Sequence, residues 1–177
     1  DKHVPWIHNV KNTDMVMAID DAATMSLIRL FNEPVGQEYL ESQGVSADFI
    51  EKLPLLGISS VANLLSSIKM AKYYELGPQD IIVTVATDSM EMYESRLREL
   101  NEEEGVFSEL DASASFAQYL HGTTIDYVQE LSYYDRKRVH NLKYYTWVEQ
   151  QGRTFEVFLV VWLVGYFWSV LVGHVDE

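Results

Sequence analysis

The sequence has 177 residues and a mass of 20.4 kDa, the size of one ordinary domain or of part of a larger one. Lys and Arg number 13 against 27 Asp and Glu, and the net charge of -14 argues against a nucleic-acid partner. The hydrophobic content of 47% excludes wholesale disorder. The absence of cysteine excludes a disulfide scaffold and cysteine-ligated metal clusters, and it is compatible with a reducing, cytoplasmic setting.

In the first hundred residues, short apolar runs alternate with segments of helical periodicity. Residues 15–19 and the β-branched run 81–86 predict buried strands. Asp20 or Asp21 can cap the helix that follows the first strand, and Gly44 marks a helix end. The predicted helices span residues 22–31, 35–43, 47–53, 61–76 and 90–104.

This order of elements is typical of an α/β protein with an open, mostly parallel sheet and flanking helices. In such sheets, ligands bind beyond the carboxyl ends of the strands. After residue 104 the pattern becomes helical, with helices predicted over 123–133 and 135–151. We therefore expect an α/β portion over 1–104 and a helical C-terminal extension over 105–177.

The extension ends in an apolar run, residues 157–175, that contains no formal charge. Its length reaches the roughly 17–25 residues that a membrane helix needs. However, the basic cluster expected beside a cytoplasmic anchor is missing. The alternatives are a buried or oligomer-facing segment and an error in the residue sequence at this end, and we do not expect a membrane partner.

Two turns carry candidate chemistry, one at a helix start and one after a strand. Gly57 allows a flat ligand to approach the main chain, and Ser59, Ser60 and the free amides of a helix start can bind a carboxylate or phosphate. Thr87 or Asp88 could form a hydrogen bond to the nitrogen of a heteroaromatic ring. Each turn could also serve only as a helix cap, so the two are more informative together than apart.

Other polar residues give weaker signals. His3 and His8 are five residues apart and lack a carboxylate partner at metal-ligand spacing. The pair Asp20-Asp21 is better explained as a helix cap, and residues 102–104 as a solvated acidic face. We therefore expect no metal site.

Several specific motifs occur in order along the chain: Pro5-Trp6-Ile7-His8-Asn9, the strand and cap at 13–21, Gly57-Ile58-Ser59-Ser60-Val61-Ala62-Asn63, and 81–93. Together they resemble the C-terminal part of a fold-type II pyridoxal-phosphate enzyme, of the cysteine synthase and cystathionine β-synthase superfamily. The segment 134–152 is similar to the tail of the long bacterial branch called pyridoxal-phosphate-dependent protein, β subunit. The resemblance covers residues 1 to about 155.

The resemblance implies a lyase or β-replacement enzyme that uses pyridoxal 5'-phosphate and acts on a serine-derived amino acid through an aminoacrylate intermediate. It implies that Gly57, Ser59 and Ser60 form the turn beside the cofactor and the substrate. Thr87 matches the Ser or Thr that bonds to the pyridine nitrogen, with the adjacent Asp88 as a second candidate. Dimers are usual in this family, so we expect a homodimer.

The resemblance also implies that essential parts lie outside this chain. The family's Schiff-base lysine, substrate-carboxylate loop and glycine-rich phosphate cup are upstream, and Lys2, Lys11, Lys69 and Lys72 do not match the lysine's position. We therefore expect no catalytic residue here, an inactive isolated chain, and the upstream segment of the same enzyme as its partner. Asp1 is not an initiator Met and begins no signal peptide, which agrees with a fragment. The alternative is a non-catalytic α/β interaction or regulatory subunit, with 157–175 as its membrane tether.

Overall fold

Helices dominate this structure, a computed structural model that describes residues 9–157, 159, 160 and 163. The chain forms two compact units, Met17–Val128 and the combination of Asp1–Val16 with Gln129–Glu177. The predicted boundary at residues 104 and 105 stays a prediction. The helices are α1 Asp21–Asn32, α2 Pro34–Ser42, α3 Ala47–Ile50, α4 Ile58–Tyr73, α5 Glu94–Glu104, α6 Glu109–Ser115 and α7 Tyr133–Tyr144, and the strands are β1 Met15–Met17 and β2 Val128–Glu130.

Helix α1 forms the centre of the unit Met17–Val128. Its residues Leu27, Ile28 and Leu30 are fully buried, because α1 packs against α2, α4 and α6. The core therefore consists mainly of helix faces, with apolar side chains at helical spacing. Its remaining members include Phe31, Leu40, Ile50, Leu53, Val61, Leu65, Met90, Phe107 and Ala112.

A buried guanidinium joins α1 to the end of α5. The Arg29 side chain donates hydrogen bonds to Asn101 Oδ1 at 2.8 Å and to the carbonyl oxygen of Gly105 at 2.6 Å, and it forms an ion pair with Glu104 at 3.1 Å. It also lies 4.8 Å from the centroid of the Phe107 ring. These contacts hold the turn after α5 against α1, since a buried charge needs such partners.

Local signals at the helix ends are largely confirmed. Asp20 caps α1 by accepting the amide hydrogen of Ala22 at 2.9 Å, and Gly44 ends α2 with a positive φ of 89°. The predicted helix 135–151 is observed as α7, continued by a π-helical stretch Tyr145–Gln150. Helix α6 was missed, although Ser108 and Asp111 form a capping box at its start that lowers the pKa of the Asp111 carboxyl.

The predicted fold class is wrong. The part of the chain that the structure describes contains a single two-stranded antiparallel sheet, β1 with β2, in place of an open, mostly parallel one. The register places Ala18 opposite Tyr127 and Asp14 opposite Leu131. Residues 128–130 belong to β2, so the helix predicted over 123–133 is also incorrect. A parallel strand needs a neighbouring strand and a crossover, and the described residues supply neither for 81–86.

The segment 81–86 is the clearest case of this error. Ile81, Val83 and Val85 are 87%, 89% and 68% exposed, and the segment has no regular secondary structure. Within the described residues, its main-chain groups make no hydrogen bond to other main-chain groups. The strand prediction failed because β-branched residues favour extended main chain but cannot form a sheet without a partner.

The smaller unit is organised by α7. Ser132 and Asp135 form a capping box at the helix start, and the Ser132 hydroxyl lowers the pKa of the Asp135 carboxyl. Arg136 forms an ion pair with Asp14 at 2.8 Å, and Thr146 is buried in the π-helical continuation. The pairing ties the start of α7 to the segment before β1.

The predicted apolar tail, residues 157–175, lies outside the described residues except for Val157, Leu159, Val160 and Leu163, whose side chains are exposed. Over the described ranges, no single helix has both the length and the apolar composition to cross a membrane. The segments Ala47–Leu55 and Ile58–Tyr73 pass that test only as a pair, and they are bent by 119°.

Two helix ends allow a matched test of backbone strain. Gly44 after α2 and Glu75 after α4 occupy the same position of a Schellman motif, with φ of 89° and 52°. We expect Glu75→Gly to stabilise the protein by about 0.5 kcal/mol, because a left-handed residue with a Cβ is strained. Gly44→Ala, where a Cβ meets no atom within 4 Å, should cost about 1 kcal/mol. Urea unfolding measures both, and equal midpoints for the two variants would contradict the expectation.

Candidate functional site

The two turns predicted to bind a ligand lie against each other in the structure. Gly57, the residue before α4, donates its amide hydrogen to the carbonyl oxygen of Asp88 at 2.8 Å. A Cβ at Gly57 would overlap that same carbonyl oxygen. The main chain itself therefore requires a glycine here, which is a reason separate from ligand approach. We call residues 57–60 and 87–88 the paired turns.

Two hydroxyl groups meet between the paired turns. The Thr87 amide donates a hydrogen bond to Ser60 Oγ at 2.8 Å, and this oxygen lies 3.3 Å from Thr87 Oγ1. Ser60 is 3% exposed, whereas Thr87 is exposed. If Ser60 donates its hydroxyl proton to Thr87 Oγ1, the proton of Thr87 is free to bond to an outside acceptor. The buried serine therefore holds an exposed hydroxyl in a fixed position.

The carboxylate of Asp88 points to a different partner. Tyr93 donates its hydroxyl proton to Asp88 Oδ2 at 3.0 Å, and this hydrogen bond raises the pKa of Tyr93. Asn63 adds another tie by donating to the carbonyl oxygen of Val85 at 2.9 Å. Tyr93 was not predicted to be the partner of Asp88. It follows Asp88 by five residues, at the end of the 3-10 helix Met90–Tyr93, and this spacing corresponds to no regular helical contact.

The start of α4 is the second polar feature of the site. The helix has 16 residues and no side chain caps its first amides, because Gly57 occupies the capping position. Ser59 is exposed in the first turn. Free amides and the positive end of the helix dipole favour an anionic group at this place. The paired turns thus combine an anion-binding helix end with a neutral hydroxyl donor.

The two lysines of α4 are engaged elsewhere. Lys72 donates to the carbonyl oxygens of His121 and Thr123, at 3.0 and 2.7 Å. Lys69 donates to the carbonyl oxygens of Ala18 and Asp126, so neither ammonium group is directed to the paired turns. In the described ranges, no group of three His, Asp or Glu residues is placed to hold a metal ion.

Comparison with known proteins adds no relative. No known protein family matches the chain, and neither a curated protein nor a solved structure is similar to it.

The close approach at Gly57 predicts a strong effect of a single methyl group. Gly57→Ala should destabilise the protein by about 2 kcal/mol, because the added Cβ displaces the Asp88 main chain. Gly77→Ala is the control, since the nearest atom to its Cβ would be 3.9 Å away. Thermal unfolding compares the two. If Gly57→Ala unfolds with the same free energy as Gly77→Ala, the paired turns do not depend on this contact.

Proposed function

We propose that this chain is the C-terminal portion of a pyridoxal-phosphate-dependent lyase or β-replacement enzyme that acts on a serine-derived amino acid in a cytoplasmic homodimer. The observation that carries the proposal is the junction of the paired turns, in which Ser60 holds the exposed hydroxyl of Thr87. The resemblance assigns both turns to one cofactor site, although 27 residues separate Ser60 from Thr87. Their contact is what that assignment requires.

The donor set of the paired turns fits this cofactor. Thr87 Oγ1 can accept the proton of Ser60 and donate its own, so it suits an unprotonated ring nitrogen, which is an acceptor. The Asp88 carboxylate already accepts a hydrogen bond from Tyr93, which favours Thr87 over Asp88 as the ring partner. A neutral donor leaves the ring less electron-withdrawing than a carboxylate partner would, and this suits elimination and replacement at the β-carbon.

The remaining parts of the site orient charged groups. The free amides at the start of α4, with Ser59 and Gly57, can bind a carboxylate or phosphate oxygen. When bound, pyridoxal phosphate supplies the electron sink of the reaction, and the protein supplies binding and orientation. In this proposal Ser60 orients Thr87, Thr87 holds the ring nitrogen, and the helix start holds an anionic group.

The uncovered segment 81–86 supports the proposed partner, the upstream segment of the same enzyme. The side chains of Ile81, Val83 and Val85 are exposed, and in the described part of the chain the main-chain amides of the segment make no main-chain hydrogen bond. Such a segment is a template for strand pairing with another stretch of polypeptide. Because the segment leads directly into Thr87, its pairing with the upstream part would also fix the paired turns.

Substitutions at Thr87 test the role in cofactor binding. In the longer enzyme, Thr87→Val should weaken pyridoxal phosphate binding by roughly threefold to tenfold, the value of one hydrogen bond, while Thr87→Ser retains it. Asp88→Asn is the matched control and should bind within about twofold of the parent, because its partner is Tyr93. Fluorescence titration with the cofactor measures all three. Equal affinity of the Val and Ser variants would refute the assignment.

A pair of exposed valines tests the partner surface. Val83 and Val106 are 89% and 88% exposed, so Val83→Lys and Val106→Lys should each change the stability of the 177-residue chain by less than about 0.5 kcal/mol. In the longer enzyme Val83→Lys should cost at least about 2 kcal/mol, because the lysine would be buried in the pairing, whereas Val106→Lys stays neutral. Unfolding in urea gives both values. A neutral Val83→Lys in the longer enzyme excludes this surface as the contact.

The mass of the purified polypeptide under denaturing conditions decides between the enzyme and its alternative. The expected result is a polypeptide well above 20.4 kDa, together with the visible absorbance of bound pyridoxal phosphate in the same protein before denaturation. A species of 20.4 kDa without cofactor in any assembly favours the non-catalytic interaction or regulatory subunit.

A further inference from the structure

A cavity of about 490 Å³ lies in the unit Met17–Val128, separate from the paired turns. It is bounded by the approach to α1, the second half of α4 and the segment 118–127. Its volume lies in the range of small-molecule sites, roughly 300–1,000 Å³. Its apolar wall consists mainly of Ile19, Ala23, Leu65 and the ring of Tyr119. None of its lining residues belongs to the paired turns.

A buried lysine forms one wall of the cavity, and its ammonium group already has three hydrogen-bond acceptors within the protein. Lys69 is 8% exposed, and its ammonium group donates to the carbonyl oxygens of Ala18 at 3.3 Å and Asp126 at 2.8 Å. It also donates to Asp126 Oδ1 at 3.3 Å. Since an ammonium group has three protons, Lys69 has no free donor for an anionic ligand.

The lysine instead fixes a carboxylate at the cavity. Asp126 Oδ1 accepts hydrogen bonds from Thr124 and Lys69, which lower the pKa of this carboxyl. Asp126 is therefore ionised at neutral pH, and no neighbouring side chain in the described part of the chain donates a hydrogen bond to its Oδ2 atom.

Asp20 adds a second carboxylate to the lining. Its Oδ1 atom caps α1 by accepting from Ala22, while its Oδ2 atom accepts no hydrogen bond from the described residues. Two carboxylates against one paired lysine give the lining a formal charge of -1. The charged atoms at the cavity that accept no hydrogen bond are thus carboxylate oxygens, next to an apolar wall.

We propose that this cavity binds a small organic ammonium ion with an apolar or aromatic body. The ammonium group lies at the carboxylates of Asp126 and Asp20, and the body packs against Ile19, Ala23 and Leu65. The lining disfavours an anion of the same shape, because an anion would meet two carboxylates while the one ammonium group at the cavity is already paired. Raising the ionic strength weakens the binding, since the carboxylates are partly exposed.

Three probes with a common body test the charge preference. We expect 2-phenylethylamine to bind the 177-residue chain and to shift the amide signals of residues 18–20 and 118–127 in NMR titrations. The neutral 2-phenylethanol should bind at least about fivefold more weakly, and 3-phenylpropionate should not bind measurably. Equal affinity of the amine and the acid, or shifts confined to other residues, would overturn the proposal.

Two substitutions test the carboxylates. Asp126→Asn should lower the affinity for the amine by about tenfold, which corresponds to the loss of one charge-assisted hydrogen bond. Asp20→Asn should lower the affinity for the amine at least twofold without loss of α1, because asparagine is an equally good N-cap. Asp48→Asn, which makes the same charge change outside the cavity, is the control and should have no effect. If Asp126→Asn releases Lys69 and unfolds the chain, the test rests on Asp20→Asn. Unchanged affinity of that variant for the amine would refute the proposal.

Discussion

The close approach of Gly57 to Asp88 determines how the central part of the chain is arranged. The hydrogen bond between their main chains anchors residues 87–88 at the start of α4, and no other residue than glycine leaves room for it. Because Thr87 is anchored there, its amide and hydroxyl both meet Ser60. The preceding segment 81–86 is held at this end and by the hydrogen bond from Asn63, while the side chains of Ile81, Val83 and Val85 stay exposed. One main-chain contact thus brings the two turns of the candidate site together and anchors one end of the exposed segment 81–86.

The sequence predicted most of the helices before residue 105, and α7, because their signals are local. The cap at Asp20, the glycine at position 44 and the start of α7 each depend on residues within about one turn of the helix end. The capping box of Ser108 and Asp111 is an equally local signal, but no helix was predicted between residues 104 and 123. The sheet failed for the opposite reason. A strand forms through a distant partner, and the run 81–86 says only that an extended chain is favoured.

In the candidate site, too, the sequence shows which residues are present but not which of them meet in the fold. That glycine and hydroxyl residues occur at 57–60 and 87–88 is evident from the sequence, but no spacing rule places Ser60 beside Thr87 across 27 residues. Only the resemblance joined the two turns. The partner of Asp88 could not be derived in that way either, since Tyr93 had been treated as part of a helix. Lys69 and Lys72 were excluded as the cofactor lysine because they do not match its position in the family. The structure adds their physical role, which is to bind carbonyl oxygens of residues 121–126.

Helix α4 connects the paired turns with the cavity and sets opposite charge preferences at its two ends. Ser60 and Lys69 are nine residues apart, which corresponds to roughly 13 Å along a helix. The first turn presents free amides at the positive end of the helix dipole and favours an anion. Lys69 and Lys72 lie towards the negative end, where cations are stabilised, and both hold the segment 121–126 through its oxygen atoms. Because the ammonium groups already donate to these oxygen atoms, they do not fully neutralise the carboxylates of the neighbouring cavity. An acidic cavity beside a lysine-bearing helix is therefore a consequence of how that helix is anchored.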